Sequence, residues 1–90
     1  MLKRAHVYYR GRVQGVGFRF TVAEAAASCG VSGFVRNMRD GAVELVAEGE
    51  EEDIRALLKD VSTKMKSCIG REETSWENHL GEFKDFSIKY

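Results

Sequence analysis

The chain of 90 residues contains no proline, only two cysteines and no long hydrophobic run. A membrane-spanning helix needs about 20 consecutive apolar residues, and no segment approaches that length. The first residues also lack the apolar core of a secretion signal. Cys29 and Cys68 do not form a disulfide framework and show no C-x-x-C spacing. We interpret them as reduced thiols, with a single disulfide between them left open, and we expect a cytoplasmic protein with no membrane partner.

Neither sign of charge is in excess, since 14 basic side chains balance 14 acidic ones. This balance counts against nucleic acid as the main partner. The distribution is uneven, however, because residues 1–39 contain a single acid, Glu24. The same half contains seven basic residues: Lys3, Arg4, Arg10, Arg12, Arg19, Arg36 and Arg39. A basic first half would attract a small anion, although short chains often scatter their charges unevenly.

The hydrophobic pattern predicts five strands and two helices. The strands are predicted at residues 3–13, 31–37, 42–48, 69–76 and 83–90. The helices are predicted at residues 20–29 and 50–65, the second with acids in its first turn and apolar residues at helical spacing. This β-α-β-β-α-β order with a short C-terminal strand is the ferredoxin-like split βαβ arrangement. We therefore predict an α+β fold, one domain over residues 1–90, with both helices on one face of a mixed, mostly antiparallel sheet.

A glycine-rich run, Gly15-Val16-Gly17-Phe18-Arg19, connects the first strand to the first helix. Two glycines two apart let the backbone turn sharply and leave its N–H groups uncovered. Such groups before a helix N-terminus bind anions, and Arg19 adds a planar charged fork suited to phosphate oxygens. On spacing alone, a tight turn that leads into a helix is an equally good interpretation.

Several other kinds of site are not indicated. The glycine run is not a nucleotide P-loop, because no Gly-Lys-Ser/Thr follows it, and its glycines do not fit the dinucleotide fingerprint. His6 and His79 lie far apart in the sequence, and no cluster has the spacing of metal ligands. We expect His6 to be structural and His79 to be solvated. The residues therefore indicate no metal site and no cofactor.

Two stretches carry a resemblance to a known family. Residues 11–19, Gly-Arg-Val-Gln-Gly-Val-Gly-Phe-Arg, resemble the first signature of the acylphosphatases. Residues 33–37, Gly-Phe-Val-Arg-Asn, resemble the second, with Gly41, Val43 and Gly49 at the family's intervals. The C-terminal residues 86–90 are also similar to family C-termini. The resemblance covers the whole chain, although residues 67–82 match only loosely and Tyr9 stands where an aliphatic residue is usual.

The resemblance implies an enzyme that hydrolyses acyl phosphates to a carboxylate and inorganic phosphate without metal or cofactor. It implies that Arg19 binds the phosphoryl group and that Asn37 places the attacking water. It further implies that the phosphoryl oxygens are held by the backbone N–H groups of Gln14, Gly15, Val16, Gly17, Phe18 and Arg19. We expect the enzyme to act as a monomer on a small-molecule acyl phosphate.

Some side chains in these signatures have structural interpretations. We expect Gln14 to hold the loop through its side chain, and Val16 and Phe18 to be core anchors. Gly49 is expected to open the second helix. Arg36 neighbours Asn37 on a strand and should point to the opposite face, as a solvated charge.

Two alternative functions stay open. The first is a carbamoyl-phosphate-processing module, since acylphosphatase-like domains begin larger carbamoyl-transfer proteins; the chain lacks the zinc-finger cysteines of such proteins. The second is a non-catalytic anion-binding or RNA-binding domain of ferredoxin-like fold. Tyr8, Tyr9 and Phe34 are aromatic strand residues, but they do not form an RNA-binding motif.

Overall fold

The computed structural model describes residues 1–90 as five strands and two helices. The strands are β1 (Leu2–Gly11), β2 (Ser32–Asn37), β3 (Val43–Glu50), β4 (Ile69–Asn78) and β5 (Phe86–Lys89), and the helices are α1 (Phe18–Cys29) and α2 (Glu51–Lys64). The sheet order is β4-β1-β3-β2-β5. All neighbouring strands pair antiparallel except β2 and β5, which pair in parallel. The predicted ferredoxin-like α+β fold is confirmed.

Alternation along the two central strands separates the core from the outer face of the sheet. Ala5, Val7 and Tyr9 of β1 have no exposed surface and face the helices. Their neighbours on the other face, such as Arg4 and His6, pair with carboxylates of β3. Because the side-chain period of a strand is two, one face of β1 is apolar and the other is charged.

The helices form because apolar residues recur at helical spacing. Helix α2 buries Ile54, Leu57 and Val61 and carries three acids in its first turn, where they favour the positive end of the helix dipole. Helix α1 buries Ala25 and Ala26, which permit close packing on the core. Neither helix has the length and hydropathy needed to cross a membrane.

Element boundaries differ from the prediction by one to three residues, and at two of them local geometry overrides the pattern. Helix α1 begins at Phe18 rather than residue 20, directly after Gly17 in the left-handed conformation. Gly49 does not open α2, so that prediction is wrong: Gly49 lies in β3 opposite Lys3. The helix starts two residues later, where the Glu51 N–H donates to the Met1 carbonyl at 3.0 Å.

The segment between β4 and β5 lies against the outer face of the sheet, and β5 has four residues, fewer than the predicted range 83–90. It is held by Glu48, whose buried carboxylate accepts hydrogen bonds from the backbone N–H groups of Leu80 and Gly81 at 2.8 and 3.1 Å. Burial alone would raise the pKa of Glu48. The Leu80 N–H and the Arg4 guanidinium outweigh that effect, and the pKa lies below its ordinary value. Glu48 therefore remains charged and fixes this segment to β3.

Candidate active site

The connection between β1 and α1 is a loop that contains a run of unpaired backbone N–H groups. Gly15 and Gly17 adopt φ angles of 76° and 78°, the left-handed region that favours glycine. An added Cβ would meet nothing within 4 Å at either position, so the requirement for glycine is conformational. None of the backbone N–H groups of residues 14–19 donates a hydrogen bond within the protein. These groups, next to the N-terminus of α1, form a site suited to an anion.

Phe18 anchors the loop in the core. Its side chain is 1% exposed, and its ring lies 5.0 Å from the ring of Tyr9. The large residue that replaces the usual aliphatic side chain at position 9 thus packs directly under the start of α1. The prediction for Val16 is wrong, because its side chain is 42% exposed at the loop tip between the two left-handed glycines.

A cavity of about 190 Å³ opens between this loop, the end of β2 and the C-terminal residues. Its nine lining residues are Val13, Gly15, Gly17, Phe18, Arg19, Phe20, Asn37, Ile88 and Tyr90. Arg19 and Asn37, which are distant in sequence, therefore lie on one cavity. No acidic side chain lines it, so Arg19 supplies its only formal side-chain charge.

Arg19 lies in the first turn of α1 and is held from the C-terminal strand. Its Nη1 donates to the Lys89 carbonyl at 3.3 Å, and its guanidinium lies 4.8 Å from the centre of the Tyr90 ring. A guanidinium has five N–H donors, so most remain available to a ligand. The contribution of Ile88, Lys89 and Tyr90 was not foreseen in the sequence, because no spacing signal shows that β5 joins the sheet beside β2.

Asn37 is the last residue of β2, where its side chain enters the cavity. Its Oδ1 atom is buried and makes no hydrogen bond within the protein. A buried amide oxygen without a partner is uncommon and costs free energy, so it is typical of a functional position. The amide oxygen can accept up to two hydrogen bonds, and the amide nitrogen can donate two.

Gln14 ties the loop to the hairpin that follows Asn37. Its Nε2 donates to the carbonyls of Met38 and Ala42 at 2.8 and 2.9 Å, as expected of a side chain that holds the loop. Asp40 accepts from the Ala42 N–H and pairs with Arg10, both at 3.0 Å. The Ala42 N–H, followed by Arg10, lowers the pKa of the Asp40 carboxyl. The loop and the hairpin are therefore one hydrogen-bonded unit.

The replacement Gln14→Met should remove both bonds while keeping a side chain of similar length. We expect the free energy of unfolding to fall by about 1–2 kcal/mol and KM for an acyl phosphate to rise, because the loop is no longer held against the hairpin. Urea denaturation and steady-state kinetics measure the two effects.

A suitable control for Gln14→Met is Ser32→Ala, which removes another side-chain bond to the backbone, from Ser32 to the Glu48 carbonyl at 3.4 Å. That control should leave KM unchanged. A Gln14→Met variant that is less stable but has the original KM would show that the bonds do not position the loop.

The histidines lie apart from the cavity. The Nε2 of His6 is 2.6 Å from Glu44 on the outer face of the sheet, which fits the predicted structural role. The His79 ring lies 3.8 Å from Glu48 and is partly exposed. Both cysteines are free thiols. The predicted solvated Arg36 is half exposed but pairs with Glu44 on this outer face.

Comparison with known proteins gives consistent matches along the chain. The profile of the acylphosphatase family matches residues 5–88. The acylphosphatase of Caldanaerobacter subterraneus is 40% identical over 89 residues, which cover 98% of this chain and 99% of that protein.

Solved structures match in the same way. The crystal structure of acylphosphatase from Bacillus subtilis superposes with a TM-score of 0.88 at 32% identity, with both chains fully covered. HypF from T. kodakarensis superposes with a TM-score of 0.84 at 36% identity over 98% of this chain, but the match covers only 12% of that larger protein.

Proposed function

The chain belongs to the acylphosphatase family and is an enzyme that hydrolyses acyl phosphates, and on this premise we propose that residues 14–19 hold the phosphoryl group while Asn37 orients the attacking water. Arg19 supplies the permanent positive charge at the phosphoryl oxygens. The observation that carries the proposal is the single cavity of about 190 Å³ that the loop glycines, Arg19 and Asn37 line together.

The unpaired loop amides suit the charge that develops during phosphoryl transfer. Such transfer depends mostly on positioning and on stabilising the equatorial oxygens. The N–H groups of residues 14–19 have no partner in the protein, and the α1 dipole adds positive potential at the same point. Together with Arg19, they provide unpaired hydrogen-bond donors for the phosphoryl oxygens.

Asn37 orients the water but does not deprotonate it. Its amide is neutral at all relevant pH values, so it accepts a hydrogen bond from the water and takes no proton. The proton passes instead to an oxygen of the substrate's own phosphoryl group. In support of this role, Oδ1 of Asn37 has no competing partner within the protein.

The leaving group explains why few catalytic groups are needed. An acyl phosphate releases a carboxylate, which leaves without being protonated, so no strong general acid is required. We further propose that the reaction needs no metal. We also propose that the protein is a cytoplasmic monomer and that residues 1–90 form a single domain.

The open face of the sheet does not suit RNA binding. A ferredoxin-like domain that binds RNA presents stacked aromatic residues on its open sheet face. Here Tyr9 has no exposed surface, and Phe34 packs against Phe83 with ring centres 5.9 Å apart. Two carboxylates, Glu44 and Glu48, also lie on that face.

A hydrolysis assay with acetyl, benzoyl and carbamoyl phosphate, each with and without EDTA, tests the proposal. We expect turnover of acetyl and benzoyl phosphate at rates that EDTA does not change. The phosphate monoester p-nitrophenyl phosphate is the control and should not be hydrolysed, since its leaving group is not a carboxylate. Loss of activity with EDTA would contradict the metal-free mechanism, and turnover of carbamoyl phosphate alone would favour the carbamoyl-phosphate-processing module.

A further inference from the structure

An exposed phenylalanine lies on the rim of the active-site cavity. Phe20 lines this cavity together with Arg19, yet the residue is 61% exposed. An exposed apolar side chain is not unusual in itself. The position of Phe20 is what gives it significance, because a solvent-exposed ring on this cavity is placed to contact a bound substrate.

The geometry of α1 directs the Phe20 ring toward the glycine loop. Phe20 is the third residue of α1, two positions after Phe18, which is buried in the core. Two residues correspond to about 200° around a helix, so Phe20 faces away from the core where Phe18 faces into it. Side chains on a helix also tilt toward its N-terminus, which here is the end that joins the loop. The ring therefore lies at the mouth of the cavity.

The ring of Phe20 has no stacking partner within the protein. It pairs with no other aromatic ring. No cation lies over its face. Tyr90, which also lines the cavity and is exposed, differs in this respect, because the guanidinium of Arg19 lies 4.8 Å from its ring centre. Phe20 thus offers a free aromatic face next to the proposed phosphoryl site.

The proposed reaction directs the acyl group toward this rim. In phosphoryl transfer the attacking and leaving oxygens lie roughly in line, on opposite sides of phosphorus. The Oδ1 atom of Asn37 is buried, so the water that it orients lies on the closed side of the cavity. The leaving carboxylate then lies on the open side, where Phe20 is exposed.

We propose that Phe20 is a specificity-determining residue whose ring contacts the acyl group of the substrate. It favours acyl phosphates with a flat, apolar acyl group, such as benzoyl, over those with a single methyl group, such as acetyl. The proposal rests on the proposed function, since it takes the positions of the phosphoryl group and the water from it. Ile88 and Tyr90 add apolar surface to the same cavity.

A contact to a part of the substrate that does not react stabilises the ground state and the transition state equally. Such a contact lowers KM and leaves kcat unchanged. The contribution of an aromatic pair corresponds to about three- to tenfold in affinity. Phe20 therefore acts on the choice between substrates and not on the chemical step.

The test compares benzoyl phosphate with acetyl phosphate on the full chain. In Phe20→Ala, the ratio of kcat/KM for benzoyl phosphate to that for acetyl phosphate should fall about three- to tenfold, through the KM for benzoyl phosphate. Phe20→Tyr retains an aromatic ring and should retain the ratio. The matched control is Leu80→Ala, which removes an apolar side chain of similar exposure, 62%, outside the cavity. This control should leave the ratio unchanged.

The possible failures are distinguishable. If the original protein hydrolyses neither substrate, the proposed function is wrong. If it hydrolyses both and Phe20→Ala leaves the ratio unchanged, only the contact with the acyl group is wrong. An equal loss for both substrates in Phe20→Ala would also overturn this contact, because Phe20 would then shape the phosphoryl site itself. The same conclusion would follow from an equal fall of the ratio in Leu80→Ala.

Discussion

Replacing Arg19 with alanine is expected to lower kcat/KM for benzoyl phosphate by about 10² to 10³, with no loss of the fold. Removing one charged donor from a phosphoryl or oxyanion site typically costs on the order of 2–4 kcal/mol in the transition state. Arg19 has the only charged side chain among the residues that line the cavity, so no neighbouring side chain can replace it. Steady-state kinetics, together with circular dichroism to verify the fold, measure this effect.

Two further variants make the Arg19 result interpretable. Arg19→Lys keeps the charge but loses the planar fork, and should retain only part of the activity. Arg71→Ala removes an exposed arginine from β4, remote from the cavity, and should behave like the original protein. Near-normal turnover by Arg19→Ala would refute the assignment of the phosphoryl site.

Replacing Asn37 with alanine is expected to lower kcat by about 10²-fold while the inhibition constant of inorganic phosphate changes only a few-fold. Positioning of a nucleophile acts on the chemical step, and misplacement by about 1 Å can cost that factor. Asn37 is neutral and lines the cavity from the end of β2, so it contributes little to anion affinity. Product inhibition by phosphate separates binding from chemistry.

The matched control for Asn37 is Asn78→Ala, at the exposed end of β4. It should change neither kcat nor phosphate inhibition. The opposite result for Asn37→Ala, a collapse of phosphate affinity with kcat preserved, would show that Asn37 binds the phosphoryl group and does not orient the water.

The fold was predictable where a local pattern determines it. Ile54, Leu57 and Val61 recur at helical spacing and are all fully buried in α2. The sharp turn of the loop was also predictable from its glycines, since Gly15 and Gly17 take positive φ angles. In both cases the physical cause lies within a few residues of the chain.

The remaining features depend on tertiary contacts that no short window contains. Val16 has an apolar side chain but is exposed, because the glycines beside it turn it to the loop tip. Gly49 extends β3, because pairing with Lys3 outweighs its tendency to end a strand. The role of Tyr90 follows from the pairing of β5 with β2, which joins residues far apart in sequence.

The hydrogen bonds of Gln14 and Arg19 make the cavity dependent on three distant parts of the chain. Gln14 reaches the hairpin after β2, and Arg19 reaches the carbonyl of Lys89 in the last strand. Closing such long loops is the slow part of folding. A nascent chain that has formed β1 and α1 already has the glycine loop, but it lacks the walls of its cavity. Activity thus arises only when the last strand has joined the sheet.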